Sequence, residues 1–288
     1  MEDLNVFTTV ESLRERLKKN GESSSVALVP TMGALHHGHL ELVKKGLSVA
    51  NEVVVSIFVN PTQFNKKEDL VNYPRTLEED LKLLKTVGDI IVFAPTVEEV
   101  YPEDYKEVDL ELGDLEVVME GEFRPGHFKG VVNVCKRLIE IVEPEFSLFG
   151  LKDFQQLAVI NFMVKSFNLN TEIVPCEIVR EPSGLASSSR NKRLSEQELE
   201  DAVIINQMMI LLQSLAKRFS PAKSKEIAIE FFNTGELELE YLNIVDPVTL
   251  LEIDEWVPGA RSCLAAYCGK VRLIDNMEIV PSLIDSEK

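Results

Sequence analysis

Three of the four histidines in the sequence lie within one ten-residue stretch, PTMGALHHGH at 30–39. His36 and His39 are three residues apart, so on the first turn of a helix they would share a face. Two imidazoles on one face can donate hydrogen bonds to phosphate oxygens as negative charge develops there. The glycines let a backbone approach a nucleotide closely, and a helix N-terminus favours phosphate. These residues and their spacing favour a phosphate-binding turn.

Other kinds of site use similar residues. Gly33 and Gly38 have the spacing of a P-loop, but a P-loop requires Lys and then Ser or Thr after the second glycine, and here His and Leu follow. Three histidines could bind zinc, but no HExxH sequence or cysteine cluster surrounds them. The adjacent His36 and His37 also tend to point apart. A helix-capping turn with solvated histidines stays open as an alternative.

Alternating strand and helix patterns would position this stretch. Apolar runs predict strands at 26–30, 52–60, 89–95, 146–150 and 171–179. Helical patterns alternate with these strands. Capping boxes occur at Thr8/Glu11, before the first strand, and at Thr76/Glu79, and further helices begin near Gly38, at His127 and at Asp153. This alternation is typical of right-handed βαβ units. We therefore expect an α/β fold with a Rossmann-like, doubly wound parallel sheet. Such sheets bind ligands at the carboxyl ends of their strands, where PTMGALHHGH lies.

The pattern changes after about residue 183. Ser195 and Glu198 form a capping box before a long helix, and a second helix follows Pro221. The runs LELEYLNIV, ARSCLAAYC and KVRLIDN then predict antiparallel strands. These elements predict a smaller α+β domain in the C-terminal third.

The expected domains are therefore a nucleotide-binding domain at 1–182 and a smaller α+β domain at 183–288. The stretch REPSGLASSSRN at 180–191 is rich in Ser, Gly and Pro, which favours a linker at this junction.

Composition excludes several classes of function. The formal net charge is −18, which disfavours non-specific binding to nucleic acids and to anionic membranes. No apolar run reaches the roughly 18–20 residues of a membrane helix, and the start, MEDLNVF, lacks the features of a signal peptide. The four cysteines are scattered without a CxxC pair, which is typical of buried thiols in a reducing compartment. We expect a cytoplasmic protein with no metal site of its own.

Six motifs, in order along the chain, resemble those of a known enzyme family. They are PTMGALHHGH (30–39), SIFVNPTQF (56–64), NYPRTLEEDL (72–81), RPGHFKGV (124–131), FGLKDFQQL (149–157) and GLASSSRN (184–191). The HxGH pattern after a first strand resembles that of the HIGH-type nucleotidyltransferases. The whole set closely resembles the pantothenate synthetase family and spans nearly the whole chain.

The resemblance implies a ligase that condenses (R)-pantoate with β-alanine. In that family the pantoate carboxylate attacks the α-phosphorus of ATP and expels pyrophosphate, which leaves pantoyl adenylate. The β-alanine amine then attacks the acyl carbon and releases AMP. No protein nucleophile is needed, so the protein would act by positioning and charge stabilisation.

The resemblance also implies an ATP site with four catalytic residues. His39 corresponds to the family's proton donor, His36 to its phosphate-binding partner, and Lys152 and Arg190 to cations on the phosphates. The implied ATP contacts are Met32, Gly33, Ala34, Leu35, His36, His37, Gly38, His39, Gly150, Leu151, Lys152, Asp153, Val179, Ser187, Ser188, Ser189 and Arg190. The His37 side chain falls at the variable position of HxGH, and we expect it to be dispensable.

The implied substrate site contains neutral amides. Gln63 and Gln156 resemble the pair that holds pantoate, a task that suits amides because they bind a carboxylate without neutralising the attacking oxygen. Asn60 would assist, and Arg124 and His127 would line the pocket.

The family also implies a homodimer, Mg²⁺ carried with ATP, and a C-terminal domain that acts as a lid. Two other functions are alternatives, and the Gln63 and Gln156 motifs speak against the first of them. One is an HxGH nucleotidyltransferase that keeps AMP in its product, and the other is a non-catalytic nucleotide- or metal-binding protein. Ser183 and Leu151 depart from the family pattern, without removing a reacting group.

Overall fold

The computed structural model describes residues 5–19, 24–64 and 70–280. By its internal contacts the chain divides into two compact units. The first unit comprises residues 1–112, 124–151 and 156–177, and the second comprises 113–123, 152–155 and 178–288.

The first unit is built around a parallel sheet that has six strands within the described residues. The strands are β1 Asn5–Phe7, β2 Val26–Thr31, β3 Glu52–Ile57, β4 Ile91–Phe93, β5 Phe146–Gly150 and β6 Glu172–Cys176. Their order is β1-β4-β3-β2-β5-β6, with every pair parallel. The central strands are almost fully buried because both faces of the sheet are covered, which explains their continuous Val and Ile runs. The predicted α/β class and doubly wound parallel sheet are confirmed.

Helices flank this sheet. Their bounds are Val10–Lys18, His37–Val49, Leu77–Leu84, Val97–Val100, His127–Val142 and Phe154–Ser166, and a short 3₁₀ turn covers Pro61–Gln63. The helix His37–Val49 buries Leu40, Val43 and Gly46 against the sheet. This places the predicted phosphate-binding turn directly between β2 and that helix.

The second unit has an antiparallel sheet that contains three strands within the described residues, β7 Glu238–Val245, β8 Arg261–Cys268 and β9 Val271–Glu278. Its helices are Glu120–Phe123, Glu196–Asp201, Val203–Leu215 and Pro221–Phe232. Buried residues of two helices, including Met208, Met209 and Phe232, pack in one core with Leu264 and Leu273 of the sheet. The expected smaller α+β architecture is confirmed.

The units divide the chain differently from the expected domains, 1–182 and 183–288. Two short segments, 113–123 and 152–155, belong to the second unit. The physical reason for the first is a buried ion cluster in which Glu120 accepts hydrogen bonds from Arg272 and Tyr241. The second segment is held through the Lys152 carbonyl, which accepts a hydrogen bond from Asn276.

The linker prediction for 180–191 is wrong. Arg180 and Ala186 form an antiparallel bridge, and the Glu181 N–H donates to the Leu185 carbonyl at 2.8 Å. Leu185, Ala186 and Ser187 are buried. The segment is thus a folded part of the second unit, and its small residues serve tight turns rather than flexibility.

Candidate active site

The topology of the first unit marks the end of β2 as a place where a ligand could bind. From β2 the chain builds the sheet in one direction through β3 and β4, and then in the other direction through β5 and β6. In open α/β sheets the point where this direction reverses, at the carboxyl ends of the strands, is where ligands bind. Here that point lies between β2 and β5, so the turn after β2 and the end of β5 flank it. A Cβ built on Gly150, the last residue of β5, would meet nothing within 4 Å, so the backbone is open to a ligand there.

The turn after β2 has a strained backbone. Gly33 and Ala34 both have positive φ angles, +80° and +51°. A left-handed alanine costs about 1–2 kcal/mol, so other contacts must hold it. The buried Asp80 carboxylate does this by accepting the Ala34 N–H at 3.0 Å and the Leu35 N–H at 2.7 Å. The side chains of Ala34 and Leu35 are themselves buried and their N–H groups are bonded to Asp80, so these residues can offer a ligand mainly their backbone carbonyls.

Asp80 did not emerge from the sequence as a site residue. A signal was present, because Leu77, Leu81 and Leu84 form an apolar helical stripe on which Asp80 also falls. A carboxylate on a buried stripe requires hydrogen-bond partners. Its partners here are the backbone of the turn and the Thr76 hydroxyl at 3.3 Å.

His36 and His39 form a reciprocal capping box at the start of the helix. The His36 Nδ1 accepts the Gly38 N–H at 3.1 Å, and the His39 Nδ1 accepts the His36 N–H at 3.3 Å. Their ring centroids lie 4.0 Å apart. A ring nitrogen that accepts a hydrogen bond carries no proton, so both neutral imidazoles carry their proton on Nε2. The structure therefore brings the two predicted histidines together and fixes Nε2–H as the donor of each.

His37 has a different environment. Its side chain is 64% exposed, and its Nε2 lies 3.6 Å from the Glu41 carboxylate one helical turn later. It takes no part in the capping box. That the His37 side chain is dispensable stays a prediction, and its exposed position is the reason to test it.

The turn after β3 holds one of the predicted substrate amides. Asn60 is fully buried and donates from Nδ2 to the Gln63 Oε1 at 3.2 Å and to the Gly130 carbonyl at 3.1 Å. The Tyr101 hydroxyl donates to Asn60 Oδ1 at 3.0 Å, and burial raises the pKa of Tyr101. Asn60 therefore holds the Gln63 side chain, and its own amide group is hydrogen-bonded to protein groups on both atoms. The Gln63 Nε2 donates in turn to the Met32 sulfur at 2.8 Å.

The residues of RPGHF lie beside the same turn. His127 is buried, and its Nδ1 lies 3.0 Å from both the Arg124 guanidinium and the Gln63 carbonyl. A Cβ on Gly130 would lie 2.5 Å from the Thr62 carbonyl oxygen. The helix His127–Val142 therefore packs directly on the backbone that carries Gln63.

The two glutamines that follow β5 have different environments. Gln155 is buried, donates to the Leu115 and Val118 carbonyls, and accepts the Glu120 N–H at 3.0 Å. Gln156, the predicted substrate ligand, is half-buried. Adjacent helical residues point about 100° apart, so Gln155 is held inside the fold while Gln156 points in a different direction.

In the second unit, Lys152 lies in a short 3₁₀ turn, Leu151–Asp153. Its ammonium lies 3.7 Å from the Asp153 carboxylate, which is longer than a hydrogen bond. Lys152, Ser188 and Arg190 line one cavity of this unit. Two of the predicted phosphate ligands and a hydroxyl therefore face the same space.

The segment from Val179 to Arg190 is braced internally. The Val179 carbonyl accepts the Ser187 N–H at 2.8 Å. The buried Ser187 hydroxyl donates to Glu181 at 2.5 Å, so this serine is occupied by the fold. Ser188 caps the turn Ser189–Arg193 by accepting the Arg190 N–H at 3.3 Å. Ser188 and Arg190 remain half-exposed at the cavity.

Metal-binding residues do not cluster in the described ranges. No group of three or more His, Cys, Asp or Glu residues that could hold a metal ion occurs there. All four cysteines are buried free thiols. Burial raises the pKa of Cys135 to about 12 and that of Cys176 to about 11. Within the described residues, no helix is long and apolar enough to cross a membrane.

Comparison with known sequences identifies the relatives of this chain. The sequence profile of the family described as Pantoate-beta-alanine ligase matches residues 5–278. The pantothenate synthetase of Bacteroides thetaiotaomicron is 45% identical over 280 residues, covering 96% of this chain and 99% of the relative. That of Phocaeicola vulgatus is 47% identical over 281 residues, with the same coverage.

Solved structures agree as well. A pantothenate synthetase from Thermus thermophilus has a TM-score of 0.91 and 41% identity, covering 96% of this chain and 100% of that one. The pantoate-beta-alanine ligase of Francisella tularensis, solved with beta-gamma ATP and beta-alanine, has a TM-score of 0.79 and 34% identity, covering 96% of this chain and 98% of that one. The resemblance seen in the six motifs is confirmed, and the chain belongs to the pantoate–β-alanine ligase family.

Proposed function

We propose that this chain catalyses the ATP-dependent condensation of (R)-pantoate with β-alanine to give pantothenate, AMP and pyrophosphate through a pantoyl adenylate. Membership of the family over residues 5–278 supports the proposal. The observation that carries it is the capping turn of His36 and His39, which fixes two Nε2–H donors at the end of β2. This is the edge of the sheet where a nucleotide would bind.

In the first step a pantoate carboxylate oxygen attacks the α-phosphorus of ATP, and the bond to pyrophosphate breaks. Negative charge on the phosphate oxygens increases in the transition state. His36 and His39 donate hydrogen bonds to these oxygens without needing to reorient, because their Nδ1 atoms are tied to the backbone. The backbone of Met32–Gly38 and of Gly150 and Leu151 contacts the nucleotide.

Lys152 and Arg190 bind the departing phosphates. Lys152 supplies a compact charge, and Arg190 supplies a planar fork that suits phosphate oxygens. Both residues line one cavity of the second unit together with Ser188, which supports this assignment. Asp153 and Val179 contact the nucleoside, and Ser187 and Ser189 shape the segment that carries Arg190.

Gln63 and Gln156 hold pantoate in both steps. Asn60 positions Gln63 by donating to its Oε1, and the Gln63 NH₂ group, which lies against the Met32 sulfur, is the donor that Gln63 offers to the substrate. In the second step the β-alanine amine attacks the acyl carbon, loses a proton to solvent and displaces AMP. Both glutamines are neutral, so neither withdraws charge from the pantoate carboxylate before it attacks.

The proposal also covers the metal ion, the role of the C-terminal domain, the oligomeric state and the compartment. Mg²⁺ enters with ATP as part of the substrate, because phosphate oxygens and water are its preferred ligands. The C-terminal domain acts as a lid on ATP, the protein works as a homodimer, and the reaction takes place in the cytoplasm. Size-exclusion chromatography with light scattering tests the dimer.

A two-substrate assay tests the reaction. The unmutated protein is incubated with Mg²⁺–ATP plus pantoate, β-alanine, both or neither, and AMP is measured by chromatography. We expect stoichiometric AMP and pantothenate only with both substrates, and pyrophosphate with pantoate. An adenylyl group retained in the product would favour the nucleotidyltransferase alternative. Tightly bound zinc at one equivalent, without turnover, would favour the non-catalytic alternative.

Substitutions test the assigned roles. His39→Ala and Lys152→Ala should each lower pantoate-dependent pyrophosphate release by about 10²-fold or more, the usual effect of removing one preorganised donor. Lys165→Ala is a matched control, because Lys165 is exposed at the end of the helix that follows β5. Near-normal pyrophosphate release in both active-site variants would contradict the mechanism.

A further inference from the structure

Asn276 of β9 holds the backbone of the Lys152 turn. Its side chain is 2% exposed, and its Nδ2 donates to the Lys152 carbonyl at 2.8 Å. The Arg261 guanidinium donates to Asn276 Oδ1 at 2.7 Å. Because an arginine can only donate, this contact fixes the orientation of the amide, and Nδ2 must face Lys152.

The neighbouring Asp275 holds the other phosphate-binding segment. It is 3% exposed, and its two oxygens accept from the Arg180 guanidinium at 2.6 and 3.0 Å. Arg180 follows Val179 directly and also donates to the Gly184 carbonyl at 3.0 Å. The Asp275 carboxylate therefore fixes the base of the turn that leads to Ser188 and Arg190.

The two side chains are coupled to each other. Asp275 Oδ1 accepts the backbone N–H of Asn276 at 2.7 Å, and Arg180 donates to the Asn276 carbonyl at 3.3 Å. Asp275 also lines the cavity that Lys152 and Arg190 face. Two neighbouring residues of one strand thus hold both segments that carry the candidate phosphate ligands.

A purely structural role explains this arrangement poorly. Burying a charged pair and an amide costs desolvation, and apolar residues of similar volume often stabilise a fold as well or better. What buried polar groups provide is a fixed geometry, because each hydrogen bond has a preferred distance and direction. The geometry fixed here is that of Lys152 relative to the 179–190 segment.

Arg272, which lines the same cavity, has a different role. It donates to Glu120 through Nη1 and Nη2 and to Glu240 through Nε. Burial alone would lower the pKa of Arg272, but the hydrogen bonds and charges of the two glutamates raise it overall. Two carboxylates neutralise this cation, so Arg272 does not supply charge to a phosphate.

We propose that Asp275 and Asn276 are positioning residues for ATP, and that Asn276 acts through Lys152 and Asp275 through the segment that carries Arg190. Neither touches the reacting atoms. The proposal rests on the proposed function in so far as Lys152 and Arg190 bind phosphates. It adds that their placement is set by one dipeptide on β9.

The test uses Asn276→Asp in the full-length protein. The carboxylate keeps the volume and still accepts from Arg261, but it cannot donate to the Lys152 carbonyl. We expect the Kd for Mg²⁺–ATP by calorimetry, and the KM for ATP in pyrophosphate release, to rise about ten-fold. The KM for pantoate should stay within about two-fold. The thermal midpoint should fall below that of Asn233→Asp, an exposed control in the same unit, because a buried carboxylate would face the Lys152 carbonyl, so circular dichroism at the assay temperature checks that both variants are folded.

A double-mutant cycle separates positioning from general stability. If Asn276 acts through the Lys152 side chain, Asn276→Asp should have no further effect on the ATP Kd in the Lys152→Ala background. An equal ten-fold loss in both backgrounds would overturn the proposal. Likewise, Asp275→Asn should have no further effect on the ATP Kd in the Arg190→Ala background. An equal loss of ATP affinity with and without the Arg190 side chain would overturn the positioning role of Asp275.

The outcome for the reaction itself is read separately. If the unmutated protein binds ATP but makes no pantothenate, the proposed function fails while the ATP Kd values still decide the positioning role. If the protein is active and Asn276→Asp leaves the ATP Kd and KM unchanged, only the positioning role fails.

Discussion

Asp80→Asn is the most direct test of how the fold positions the histidines. The Asp80 carboxylate accepts two backbone N–H groups of the turn, one from Ala34 and one from Leu35. An asparagine at this position retains one carbonyl oxygen and so keeps one of these bonds. Its NH₂ group would face the other N–H, so two donors would oppose each other in a buried site.

The size of the effect follows from these contacts. Losing one charge-assisted hydrogen bond costs about 1.5–3 kcal/mol, and a buried unsatisfied donor costs about 1–3 kcal/mol more. The turn already contains the left-handed Ala34, which is itself unfavourable. The backbone of the turn therefore changes conformation in the variant, and this reduces the cost of the unpaired donor. We expect the free energy of unfolding to fall by about 3 kcal/mol, less than the about 5–15 kcal/mol of a typical domain. A displacement of His36 and His39 by about 1 Å would lower the rate about 10²-fold.

Two measurements check this prediction. Pantoate-dependent pyrophosphate release gives the rate of the first step, and denaturant titration gives the free energy of unfolding. Asp89→Asn is the matched control, because Asp89 is exposed in the same unit. If Asp80→Asn has the rate and stability of Asp89→Asn, the carboxylate does not hold the turn and the reasoning is refuted.

Three further outcomes are expected. Gly130→Ala should raise the KM for pantoate about ten-fold or more, because its Cβ would lie 2.5 Å from the Thr62 carbonyl oxygen and would displace Gln63. An unchanged KM would contradict the close packing of the helix His127–Val142 on this backbone. His37→Ala should keep pyrophosphate release within about two-fold of the unmutated value, since the exposed His37 ring pairs only weakly with Glu41. A loss as large as that of His39→Ala would assign His37 a role in the chemistry. In the native protein at pH 8, a thiol reagent should label none of the four cysteines within minutes, and after unfolding it should label all four. The reason is that burial raises thiol pKa values, such as that of Cys135 to about 12. Rapid labelling of the native protein would contradict the burial.

Much of the fold could be predicted from local pattern. Continuous apolar runs located β2 through β6 within a few residues, and the predicted helix at 127–142 has the observed bounds. The edge strand β1 was missed, because Asn5–Phe7 is three residues long and half exposed. Three residues are too few for a periodic pattern to show.

Of the three predicted helix capping boxes, one forms and two are replaced by other contacts. The Ser195–Glu198 capping box forms as predicted. At Thr76 it does not, because the Thr76 hydroxyl bonds to Asp80 instead of the helix N-terminus. The first helix is capped by Thr9, through the Ser12 N–H, and not by Thr8.

The histidine turn could be located from sequence, but its support could not. Spacing alone put His36 and His39 on one face, and the structure agrees. The contacts of Asp80, 46 and 45 residues from its partners, and of Asn276, 124 residues from Lys152, depend on the folded topology. No local pattern contains such pairings.

The way the chain threads between the two units has a consequence for its synthesis. The polypeptide passes between them at 112/113, 123/124, 151/152, 155/156 and 177/178. Glu120 and Arg272, whose side chains pair, are separated by 152 residues. At about 5–20 residues per second, a ribosome needs about 8–30 s to make that stretch. During this interval the Glu120 carboxylate has no guanidinium to neutralise it and stays hydrated, so segment 113–123 can be buried only after β9 has been synthesised.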